Sequence, residues 1–108
     1  MGEKFWIQDF ETRIDRLRVH FITEGGQVKS IVVIQYEAYI DGKWHPIVRF
    51  DEAHDFFHRD VLSPTGSQEK TPRSSSDKGL ALTEAMNEIK QQWQSYRKAY
   101  EDEYYGQK

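Results

Sequence analysis

Between Arg49 and Asp60 the chain sets two arginines, two of its four histidines and three aspartates around three phenylalanines. The run reads Arg-Phe-Asp-Glu-Ala-His-Asp-Phe-Phe-His-Arg-Asp. These residue types supply the parts of acid–base chemistry on a phosphodiester. An imidazole exchanges protons near neutral pH, a carboxylate orients it, and a guanidinium meets phosphate charge. His58 is the candidate general acid or base, Asp51 its orienting carboxylate and His54 a second proton carrier. Arg49 and Arg59 are the candidate ligands of the phosphate or its transition state. The plainer assignment of the same residues is an Arg49–Asp51 surface ion pair and a half-buried His58 satisfied by backbone.

His54 and His58 stand four apart, a spacing that brings two zinc ligands together on a helix. The segment reads instead as loop and strand, and Asp rather than Glu follows His54, so no metal site is assigned. The chain has no glycine-rich phosphate loop, nucleophile elbow or dinucleotide fingerprint, and no cofactor is expected.

These residues need a scaffold, and composition bounds it. At 108 residues the chain is expected to be one domain, 37% hydrophobic and 31% charged. Its formal charge of −3, mixed along the chain, argues against nucleic-acid binding by bulk charge and leaves room for a local basic face. Without cysteine there is neither a disulfide nor a thiolate metal site. No apolar run approaches the roughly 18 residues of a membrane helix. The start, Met1-Gly-Glu-Lys-Phe-Trp, lacks the apolar stretch of a signal peptide. The expectation is a cytoplasmic protein with no membrane partner.

Residues 14–22, 31–40 and 43–51 alternate apolar and polar side chains with a period of two, the pattern of half-buried strands. Residues 56–62 and 67–71 suggest a further hairpin around Pro64-Thr65-Gly66. The first 12 residues read as an N-terminal arm or short strand, 13–71 as the sheet and 72–79 as a polar connection. From 80 to 105 comes a helix, because Leu82, Met86, Ile89, Trp93, Tyr96 and Tyr100 recur at steps of three and four. Glu101-Asp102-Glu103 oppose the helix dipole, so the last turn is expected to fray. The predicted fold is α+β: an antiparallel sheet of four or five strands with one long C-terminal helix on its apolar face.

Register decides what the other face carries. Gly25-Gly26 makes a two-residue hairpin loop that pairs Val19 with Val32. At Asp41-Gly42 a three-residue bulged turn, pairing Ile34 with Val48, keeps the apolar faces together. Pro46 donates no ladder hydrogen bond, which predicts an open edge or an irregularity there. In this register Arg16, Arg18 and Arg49 line the second face around a seam of Ile31, Val33 and Ile47. A seam rimmed by charge reads as the interface of a homodimer or of a protein partner. The rival assignment is an RNA surface, with the arginines on phosphates and Tyr39 as a stacking platform.

Arg49-Phe-Asp-Glu-Ala-His54, continuing through Phe57-His-Arg-Asp60, resembles the TumE-like type of small prokaryotic toxin and related families. The resemblance covers about residues 31–100, with the specific part in the middle dozen. It implies an antiparallel sheet with a C-terminal helix, and by position it implicates Arg49, Asp51, His54 and His58. It further implies a toxin–antitoxin or nucleic-acid-directed role. Two functions are therefore expected in competition. One is a toxin-like effector that cleaves RNA by metal-independent acid–base chemistry. The other is a non-catalytic module that joins a second copy or an antitoxin-like partner through the second sheet face.

Overall fold

The computed structural model describes residues 1–52, 57–73 and 77–106. Six antiparallel strands follow one another in space as in sequence: β1 (Gly2–Asp9), β2 (Asp15–Glu24), β3 (Gln27–Ile40), β4 (Lys43–Asp51), β5 (His58–Leu62) and β6 (Gln68–Pro72). One helix, α1 (Lys78–Gly106), crosses one face of this meander. The α+β arrangement is thus as the residue pattern predicts. The N-terminal arm is a full strand, β1, paired along its length with β2.

Both predicted hairpin loops are tight turns. Gly25 and Gly26 have φ of 60° and 79°, and Asp41 and Gly42 have 50° and 82°, so each pair occupies the left-handed region that a two-residue turn in a right-twisted hairpin requires. Asp41-Gly42 therefore closes by two residues, pairing Ile40 with Lys43, and not by the predicted three. The apolar faces are aligned by bulges instead. On β3, Phe21 pairs with Ile31 and His20 with Val33, so Val32 is the extra residue and stays 42% exposed while Ile31 turns into the core. On β4, Glu37 pairs with Pro46 and Tyr36 with Val48, so Ile47 is the extra residue and is buried. The irregularity expected from Pro46 is this bulge.

Leu17, Val19, Ile34, Tyr36, Val48 and Phe50 then meet Ala81, Leu82, Ala85 and Ile89 of the helix. Trp93 packs between Phe10 and Tyr36, with ring centroids 5.4 and 6.2 Å away. Asp77 caps the helix, its Oδ1 accepting from the Leu80 amide at 3.1 Å. The last turn does not fray: the helix runs to Gly106, because Arg97 pairs with Glu101 and Lys98 with Asp102 one turn on, and the Tyr104 hydroxyl donates to Asp41. Among the described residues no helix is long and apolar enough to cross a membrane.

Candidate functional site

The helix packs on one face of the sheet, and strand pairing lays a polar row across the other. Arg18 pairs with Gln35, Gln35 with Arg49, Arg49 with Asp60 and Asp60 with Lys70. Ile7 of β1 extends the row at one end. Alternation along each strand puts Arg16, Glu37 and Tyr39 beside it on one side and His20, Val33, Asp51 and His58 on the other.

Glu37 is the hub of the arginine half. Its two carboxylate oxygens accept from Arg16 Nε at 2.6 Å and from Arg18 Nε at 3.0 Å, and Gln35 Nε2 donates to it as well. Burial pushes the Glu37 carboxyl up, but the hydrogen bonds from Arg18, Arg16 and Gln35 outweigh that and hold it below the ordinary range. Gln35 Oε1 in turn accepts from Arg49 Nε at 2.7 Å. All three guanidiniums are thus held by Nε. Among the described residues their terminal nitrogens make no hydrogen bond. Aromatic rings lie among them. Arg16 stacks 3.8 Å over Trp44, whose ring adjoins that of Tyr39, and Arg18 lies over Phe5. Tyr39 and Phe5 are exposed.

The other half is a histidine–carboxylate cluster. His58 Nε2 lies 3.0 Å from Asp51 Oδ1, 3.4 Å from Asp60 Oδ2 and 3.1 Å from Lys70 Nζ. His58 is 1% exposed, so its ring does not open to solvent, whereas Asp51 is half-buried and Lys70 sits at the rim.

The structure brings Arg49, Asp51 and His58 to one face, with Arg16, Arg18 and Tyr39 beside them. Arg59 is not with them. Successive strand residues face opposite ways, and Arg59 points to the helix, where NH1 donates to Glu88 at 3.0 Å and to Tyr96 at 3.1 Å. His54 lies outside the described residues. The expected seam is absent, because both bulges turn Ile31 and Ile47 inward, to 3% and 1% exposure, leaving Val33 half-buried beside His20. Asp60, Lys70, Gln35 and Glu37 were not singled out from sequence. The His58-x-Asp60 alternation was the available signal for Asp60; Lys70 needs the β5–β6 register.

A family model described as a domain of unknown function, DUF7718, matches residues 1–105. The chain belongs to the DUF7718 family. No curated protein and no solved structure matches this DUF7718 chain. The family match gives no link to the TumE-like type, so the features above carry the functional argument for this DUF7718 protein.

Proposed function

We propose that this DUF7718 protein binds single-stranded RNA on the sheet face opposite the helix. One observation carries the reading: Arg16, Arg18 and Arg49 are each fixed through Nε, which leaves their terminal nitrogens without a hydrogen bond among the described residues. A guanidinium already oriented by a neighbour loses less side-chain freedom when it takes a phosphate, and its two-nitrogen edge matches phosphate oxygens. The exposed rings of Tyr39 and Phe5 offer stacking surfaces that unpaired bases can use without sequence preference. The homodimer alternative rested on an apolar seam, and two of its three residues are core.

Fluorescence anisotropy with a labelled single-stranded RNA tests this. Wild type should bind, and Arg18→Gln, which keeps a donor for Glu37, should weaken binding about tenfold. Equal affinity in a folded Arg18→Gln protein would reject the site.

Cleavage of the bound RNA by metal-independent acid–base chemistry is the second reading, favoured by the His58–Asp51 contact at 3.0 Å. The enclosed ring of His58 would have to become accessible to reach a ribose hydroxyl or a leaving oxygen. RNA cut by wild type and by EDTA-treated protein, but left intact by His58→Ala, would support it.

A further inference from the structure

Opposed charges crowd His58 Nε2: two carboxylates and one ammonium. Nε2 has one in-plane position for a proton or a lone pair. If it carries a proton, it can donate to Asp51 Oδ1 at 3.0 Å or Asp60 Oδ2 at 3.4 Å, but the proton then opposes the Lys70 ammonium 3.1 Å away. Without the proton it accepts from Lys70, and its lone pair faces two carboxylates. Asp60 is 4% exposed, and its second oxygen, Oδ1, accepts no hydrogen bond among the described residues; Lys70 Nζ stands 3.6 Å from it. A buried carboxylate oxygen left without a hydrogen bond is costly.

A cation bound by Nε2 and both carboxylates meets the ring lone pair and the two negative charges together. Ligand atoms held about 2.1 Å from one ion, at 90–110° to each other, stand about 3.0–3.4 Å apart. The two distances from Nε2 to the carboxylates fall in that range, and the three ligand atoms lie within 4.8 Å of one another. The geometry points to Asp51, His58 and Asp60 as a site for one divalent first-row transition cation. The Lys70 ammonium competes for the same carboxylates. Two carboxylate oxygens and one imidazole suit Mn2+ best among such ions. Lys70 is on β6 with part of its chain exposed, so it can swing aside as the ion enters. This site does not depend on RNA binding at the arginines. It excludes His58 as a free proton carrier while the ion is bound.

Mn2+ alone is the probe, with free Mn2+ read by its EPR signal and folding checked by circular dichroism. Wild type is expected to take up one Mn2+ per chain. Asp60→Asn should weaken uptake about tenfold or more, and Lys70→Ala should tighten it, a gain that damaged folding would not produce. No uptake by wild type and Lys70→Ala, an unchanged affinity in folded Asp60→Asn, or no gain in Lys70→Ala would each overturn the proposal.

Discussion

Arg97 reaches from the helix to Asp15 on β2, its NH1 2.7 Å from Oδ1 and 3.1 Å from the Ile14 carbonyl. Asp15 is 1% exposed and also accepts from the Tyr36 and Thr12 hydroxyls. Burial and the adjacent Asp15 carboxylate push the Tyr36 phenol well above its ordinary pKa, so Tyr36 stays a donor. A polar knot therefore fastens the helix to the sheet beside an apolar core.

Cutting that knot strands a buried carboxylate. Arg97→Met should lower the unfolding free energy by about 3 kcal/mol. Urea denaturation measures this, and a loss below about 0.5 kcal/mol would show that the pair behaves as a surface contact.

Acid should act through two glutamates. The arginine and glutamine hydrogen bonds hold Glu37 below the ordinary carboxylate range despite burial. At Glu88 burial is likewise outweighed, by Arg73, Tyr96 and Arg59. A carboxylate with a depressed folded pKa adds stability that is complete above its unfolded value, about 4.3. That stability is lost as pH falls through the folded value. Melting temperature should therefore drop as pH falls below that range, and Glu37→Gln or Glu88→Gln should each flatten the drop. An unchanged acid limb in both variants would contradict the assignment.

The β3 bulge can be tested by paired truncations. Ile31→Ala should cost about 3 kcal/mol as a core deletion, while Val32→Ala should stay within about 0.5 kcal/mol. Equal losses, or the reverse order, would restore the regular ladder in which Val32 is the inward residue.

That bulge marks where sequence reading stopped. The positions of the hairpins at Gly25-Gly26 and Asp41-Gly42 were legible because Gly and Asp favour turns, though not the two-residue length of the second, and the helix was legible because six apolar positions repeat on one face. Val32 and Ile47 were not, since alternation counts every residue and a bulge adds one without altering composition. Pro46 marked the irregularity but not which neighbour would turn inward. Strand β1 stayed undecided between an arm and a short strand because its side chains, mostly exposed on both faces, carry no amphipathic alternation. Of the candidate site, Arg49, Asp51 and His58 were found from residue type and spacing. Residue type and spacing group Arg59 with them, but strand alternation turns it to the helix, and Lys70 enters only through the pairing of β5 with β6.

The proposed hold of three Nε-anchored arginines on the phosphates of single-stranded RNA is electrostatic. Its most direct test is the salt dependence of RNA affinity in wild type and in the triple variant Arg16→Gln, Arg18→Gln, Arg49→Gln. Three phosphate contacts predict a slope of log K against log salt of about −2 for wild type and near zero for the variant. A folded variant that keeps both the affinity and the slope of wild type would contradict it.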